Sequence, residues 1–147
     1  RGDGHIRAAG ATAANQWFYE TWDMEQDAWD VGPDGPRGDA PVLYCSFPSL
    51  KDPAHDPGPR ERHTGEVVTF VPWETFAPWK DARWHKRGDD YEALKQKTQD
   101  ALLAHFVRRM PALEKHITHV ELSTPASTQS PALYETATAT SEPRIKE

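Results

Sequence analysis

The stretch from Asp90 to Met110 carries the longest helical pattern in this chain, and it constrains what the remainder can be. Tyr91, Leu94, Thr98, Ala101, Leu102, His105 and Phe106 fall on one stripe at helical spacing, so one face of that helix demands a partner surface. Asp89 as N-cap, with Glu92 three residues on, predicts two satisfied donors in the first turn. Arg108 and Arg109 suit the C-terminal end of the helix dipole, and Pro111 stops the helix.

The partner surface is expected to be a sheet, because the other apolar runs are short and β-prone. Gln16 to Trp22 is an aromatic run that reads as a strand, and Val42 to Phe47 reads as a second strand, apolar on both faces and closed by Pro48. Glu66 to Val71 is the strongest strand pattern and is expected to pair antiparallel with 42–47; Ile117 to Leu122 reads as the last strand. Between them, Asp23 to Trp29 suggests a short helical turn, Gly32 to Pro41 a loop, and Ser49 to Thr64 a long exposed connection. Pro72 can open a short helical turn whose Trp73, Phe76 and Trp79 line one face, with Pro78 limiting its length. The order β, β, β, helix, helix, β implies an α+β fold, an antiparallel or mixed sheet with helices packed on it.

Composition makes that fold lean. Among 147 residues only 37% are hydrophobic and 13 are Pro, so burial is concentrated in 6 Trp and 5 Phe. A net charge of −6 argues against nonspecific nucleic-acid binding, which draws on Lys and Arg. The single cysteine, Cys45, excludes an internal disulfide framework and a multi-cysteine zinc site, and its mid-strand position reads as a small buried hydrophobe. No apolar run nears the ~20 residues of a membrane span, and no signal-peptide pattern is present, so the expectation is a cytoplasmic protein, peripheral to a membrane at most.

Several constellations carry a bland reading beside a functional one. His116 and His119 lie three apart on an expected strand and so point to opposite faces; no metal site is expected, and His55, His63 and His85 read as solvated. Trp79, Lys80, Arg83, Trp84, His85, Lys86 and Arg87 interleave rings with positive charge, which fits an amphipathic connection first and a membrane or substrate-entry contact second. Arg-Gly-Asp occurs at 1–3, 37–39 and 87–89; chance explains it, and in the third copy Gly88 turns the chain into the helix. Asp52, Asp56, Glu61, Glu66 and Glu74 read as solvated charge.

Four segments in one order give a more specific signal: Ser46-Phe47-Pro48-Ser49-Leu50-Lys51-Asp52-Pro53, Val67-Val68-Thr69-Phe70-Val71-Pro72-Trp73-Glu74, Lys86-Arg87-Gly88-Asp89-Asp90-Tyr91 and Leu122-Ser123-Thr124-Pro125. Together they resemble the phytoene desaturase, carotenoid isomerase and retinol saturase branch of the FAD-dependent oxidoreductases, in the part that builds the substrate domain, over roughly residues 12 to 129. The Gly-x-Gly-x-x-Gly turn that seats a dinucleotide is missing: Gly2, Gly4 and Gly10 are scattered, and Gly32, Gly35 and Gly38 are broken by Pro33 and Pro36. The resemblance therefore implies a fragment of a two-domain flavoenzyme, inactive alone. It would have a flexible or truncated segment 1–14, a substrate-domain fragment 15–125 and a disordered or aberrant tail 126–147.

The intact protein would desaturate, saturate or isomerise a carotenoid or retinoid polyene. It would use FAD held elsewhere in the same chain, with NAD(P) a further candidate. Trp17, Phe47, Phe70, Trp73 and Phe76 are the candidate tunnel-lining residues, with ordinary core packing as the alternative for each, and Thr124 and Pro125 lie where the family chain turns toward the cofactor. No catalytic residue is assigned. The rival readings are a noncatalytic module that holds an apolar ligand or partner protein, and a damaged reading frame.

Overall fold

Alternation decides the strands. In chain order the computed structural model has helix α1 (Gly4–Ala8), strands β1 (Gln16–Tyr19), β2 (Val31–Gly32), β3 (Gly35–Pro36) and β4 (Val42–Ser46), helix α2 (Pro48–Lys51), strand β5 (Glu66–Phe70), helices α3 (Trp73–Phe76) and α4 (Asp89–Arg109), and strands β6 (Glu121–Ser123) and β7 (Thr136–Thr140). It describes residues 4–23, 25, 28–82, 86–127 and 136–140. Five strands form one sheet in the order β1-β4-β5-β7-β6, every neighbouring pair antiparallel. The fold is thus α+β. The pairing of 42–47 with 66–71 is found, with Tyr44 opposite Val68 and Cys45 opposite Val67.

One face of the sheet is closed by α4. Leu43, Cys45, Val67 and Leu122 from the strands join Tyr91, Leu94, Leu102 and Phe106 from the helix in a single buried cluster, with Phe18 packed against it. A side chain of that size contributes roughly 1.5–3 kcal/mol when fully buried. The helical stripe read from the sequence is the buried one, except that Ala101 stays half-buried. Thr69, β-branched but polar, is tolerated in this layer because its hydroxyl donates to the Val42 carbonyl at 2.7 Å.

Five local expectations are corrected. The N-cap of α4 is Gly88 at φ +91°, a conformation glycine adopts cheaply, so Asp89 enters the first turn and no side-chain cap forms; Asp89, Asp90 and Glu92 instead favour the positive end of the dipole. After Pro111 the chain winds into a 3₁₀ helix, Pro111–His116, which shortens the last expected strand to β6. The loop over 32–41 contains the small β2–β3 hairpin, whose Gly35 at φ +118° lies so close to Lys97 that an added Cβ would sit 3.3 Å from its Cδ. The helical turn expected over Asp23–Trp29 falls partly on residues 24, 26 and 27, outside the described residues. Its end is extended: Ala28 bridges Phe70, the Trp29 amide donates to the Phe70 carbonyl at 2.7 Å, and the buried indole donates to Gly38 O at 3.1 Å.

The fifth concerns the Ser/Thr/Ala-rich segment after Ala126, which reads as unstructured. Thr136–Thr140 is a strand lying between β5 and β6, paired with both. Alternating Thr and Ala at those positions supplies β-branched residues without the apolar content that advertises a strand. Residues 128–135 and 141–147 of that tail, like 1–3 at the other end, lie outside the described residues.

Candidate functional site

The second face of the sheet is partly open: Val42 and Ser46 are buried on it, and the side chains around them are not. Because side chains alternate across a strand, the register that puts Phe18, Leu43 and Cys45 in the core puts Trp17, Tyr19, Val42, Tyr44 and Ser46 on the far side, with Glu66, Val68 and Phe70 beside them on β5. Trp17 is 49% exposed and Tyr19 47%; Tyr44, Val68 and Phe70 are partly exposed. Trp17 packs edge-on against Tyr44, ring centroids 4.8 Å apart, and lies stacked beside Tyr19 at 6.3 Å. These rings span the two strands β1 and β4, and Val68 carries the apolar row on to β5, about 10 Å across in all at ordinary strand spacing.

Ordinary sheets present polar side chains to water on such a face, so a band of half-exposed aromatics sets this one apart. A cavity of about 160 Å³ elsewhere, lined by His5, Ala8, Ala9, Ala112, Lys115 and His116, is smaller than the roughly 300 Å³ where small-molecule sites begin.

The candidate residues named from the sequence separate into three groups. Trp17 and Phe70 are both on the open face. Phe47 and Phe76 belong to the buried cluster, Phe76 completely, and Trp73 is half-buried on α3. Thr124 and Pro125 are fully buried just past β6. Tyr19, Tyr44 and Val68 were missed as face residues. The signal that finds them is the register itself: Tyr19 lies two positions along the strand from Trp17, Tyr44 lies directly across from Trp17, and Val68 directly across from Tyr44.

Beyond β6 a hydroxyl cluster ties the chain to the start of α4. Tyr91 Oη is 2.8 Å from Thr124 Oγ1 and 3.3 Å from Ser127 Oγ, while the buried Arg87 donates to the Ala126 carbonyl at 2.6 Å and sits 5.1 Å over the Tyr91 ring. The third Arg-Gly-Asp thus has a structural use, Arg87 pinning the loop and Gly88 capping the helix. In the second copy, Arg37 pairs with Asp30 at 3.1 Å and Asp39 with Arg108. The first lies outside the described residues, as do 83–85 of the basic aromatic run; Trp79 of that run packs on Tyr91 with centroids 5.6 Å apart.

At the end of β1, Glu20 accepts from His105 Nε2 at 2.6 Å and from the Arg109 guanidinium. The Arg109 hydrogen bond holds the Glu20 carboxyl below its ordinary value, with burial opposing and His105 assisting. Burial pushes the Cys45 thiol up to about 12, which keeps it protonated and unreactive. His63 shares a hydrogen bond with Ser49, Nδ1 to Oγ at 3.2 Å, and Ser49 Oγ also accepts from the Thr64 amide, anchoring the long connection at both ends. Asp52 and Asp56 accept from the amides of Ala54 and Gly58 in tight turns. Among the described residues no three His, Cys, Asp or Glu groups converge on a point that could hold a metal. No helix among them is long and apolar enough to cross a membrane.

Gly32 and Gly35 form the β2–β3 hairpin rather than a strand-to-helix turn, and no helix N-terminus follows them. Among the described residues, these glycines do not offer the turn that would seat the pyrophosphate of a flavin.

The chain is 30% identical over 121 residues to the all-trans-retinol 13,14-reductase of Rattus norvegicus, covering 80% of this chain and 20% of that protein. The Homo sapiens reductase of that name matches to the same extent, and that of Danio rerio is 28% identical over 133 residues, 86% of this chain and 21% of the relative. Over those residues the chain is homologous to proteins named all-trans-retinol 13,14-reductase, in keeping with the retinol saturase resemblance of its sequence. It spans about one fifth of the length of the curated relatives it matches. No protein-family model matches it, and no solved structure matches significantly.

Proposed function

We propose that this chain is one wall of the substrate site of an FAD-dependent oxidoreductase that adds two hydrogens across a double bond of a retinoid polyene. The observation that carries the reading is the asymmetry of the sheet. One face is sealed by α4, and the other offers Trp17, Tyr44, Val68 and Phe70 as a continuous apolar band. A conjugated chain is flat and polarizable, and offset or edge-on rings bind such a surface with more than area burial alone. The relatives' printed name supplies retinol as the substrate class, and the matched segment is about one fifth of their length, so the flavin would be held by residues outside it.

On this reading the flavin supplies the redox chemistry from outside the segment. The segment binds, orients and keeps water from the polyene, and alone it is inactive. Thr124 and Pro125, fixed by Tyr91, set where the chain leaves the sheet toward the cofactor side. The flavin-binding part of the same protein is the partner that completes the site, and the apolar substrate is drawn from a membrane in peripheral contact with it.

The test is a Trp17→Ala, Tyr44→Ala double variant of the full-length flavoprotein, assayed on all-trans-retinol. Removing two contact rings is expected to raise KM at least ~10-fold while the flavin stays bound. An unchanged KM would sink the wall assignment. Tight retinoid binding with no flavin-dependent conversion in the wild type would favour a noncatalytic apolar-ligand module instead.

A further inference from the structure

The open face is graded along its strands, and the gradient matches an amphipathic ligand. Following the register across β1, β4 and β5, Trp17, Tyr44 and Val68 form one apolar row; the pair Tyr19 and Val42, and Phe70 two residues on from Val68, continue it in one direction. In the other direction the next row is polar: Asn15, immediately before β1, then Ser46 and Glu66, which are paired.

Over this polar row reaches Lys51, from the last turn of α2. Its ammonium donates to Ser46 Oγ at 2.7 Å and to Asn15 Oδ1, and no carboxylate among the described residues is in ion-pair contact with it. An ammonium has three donors, so two such bonds leave one N–H for a ligand. Ser46 is 2% exposed beneath it, whereas Lys51 itself is exposed. The charge is therefore held in place by neutral acceptors at the rim of an aromatic surface.

We infer that Lys51 is the residue that reads the polar end of the substrate, donating a hydrogen bond to the alcohol oxygen of a polyene whose hydrocarbon part lies along Tyr44, Trp17 and Phe70. This assignment rests on the reading of the open face as the substrate wall. Lys51 acts as a positioning residue. It fixes which end of the polyene points along the strands, and so which double bond is presented for reduction. A pure hydrocarbon polyene would use the same aromatic rows and gain nothing from the ammonium.

The experiment compares all-trans-retinol with its deoxy hydrocarbon analogue in the full-length flavoprotein, wild type against Lys51→Met and Lys51→Arg. A hydrogen bond from a charged donor is worth enough for a ~10-fold effect. Lys51→Met is expected to raise KM for retinol about that much, with added hydrogen scattering to other double bonds, while KM for the deoxy analogue stays within ~2-fold of wild type. Lys51→Arg, which keeps a cationic donor, is expected to retain the preference for the alcohol. Equal losses on both substrates, or no loss on either, overturn the assignment of Lys51 and leave the wall intact. Wild-type protein that binds neither polyene overturns the wall and Lys51 with it.

Discussion

The two faces of the sheet are built from different chemistry although they alternate residue by residue along the same strands. The covered face uses mainly Leu43, Cys45, Val67, Thr69 and Leu122, aliphatic or small groups that let α4 approach closely, with Phe18 packed against them. The open face uses Trp17, Tyr19, Tyr44 and Phe70, larger and flatter, with tryptophan and tyrosine tolerating partial contact with water. A face meant for permanent burial is filled for density. A face meant for an exchangeable occupant keeps rings that can meet it without repacking.

Two phenylalanines put that difference to its hardest trial. Phe76 is completely buried, touching Tyr91 edge-on with centroids 6.4 Å apart, and Phe76→Ala is expected to destabilise by about 3–5 kcal/mol. Phe70 sits on the open face with part of its ring in water, so Phe70→Ala is expected to cost about 1 kcal/mol or less. Urea melts of the two variants read the contrast directly. Equal losses would mean that the open face is as much a core as the buried cluster to which Phe76 belongs.

Much of this architecture is legible in the residues, and the parts that are not share a cause. Tyr91, Leu94, Thr98, Leu102, His105 and Phe106 announce the buried stripe of α4 because a helix writes its pattern locally, every three or four residues. Which face of β1, β4 and β5 is covered depends instead on pairings between residues some twenty to thirty positions apart, as with Trp17 and Tyr44 or Tyr44 and Val68. That is why Phe47 and Phe76 were grouped with Trp17 and Phe70 as lining candidates while Tyr44 escaped notice. The same nonlocality hides Thr136–Thr140, which has no apolar run of its own and is a strand because β5 and β6 leave room for it. The cap at Gly88 rather than Asp89 is a smaller matter of backbone freedom, with φ at +91° favouring the residue without a Cβ.

A smaller effect is expected where the sheet hands the chain onward. Tyr91→Phe keeps the ring that packs on Phe76 and Trp79 but removes the hydroxyl shared with Thr124 and Ser127. It leaves Thr124 buried with less to bond, for a loss of about 1–2 kcal/mol. If the hydroxyl cluster positions Thr124 and Pro125 toward the cofactor side, kcat on retinol falls more than stability implies. A loss confined to the melt would reduce the cluster to a plain fastening of the covered region.

The smallest expected effect lies at the seam between the two faces, where Glu20 at the end of β1 bonds both His105 and Arg109 of α4. Its carboxyl is held below the ordinary 4.5, chiefly by Arg109, so its folded-state pKa is depressed relative to the unfolded chain. The contribution is therefore fully present above about pH 4.5, and it is lost as the pH falls through the lowered folded value. Glu20→Gln is expected to remove that contribution, leaving the variant less stable at neutral pH and flattening the acid limb of its melting curve relative to wild type. If β1 is fastened to α4 mainly by this pair, proteolysis in mild acid should open the chain first near Glu20 and release the Trp17 edge while α4 stays protected. Loss of both together would mean that the open face and the covered face unfold as one unit, and that the difference between them is one of chemistry alone.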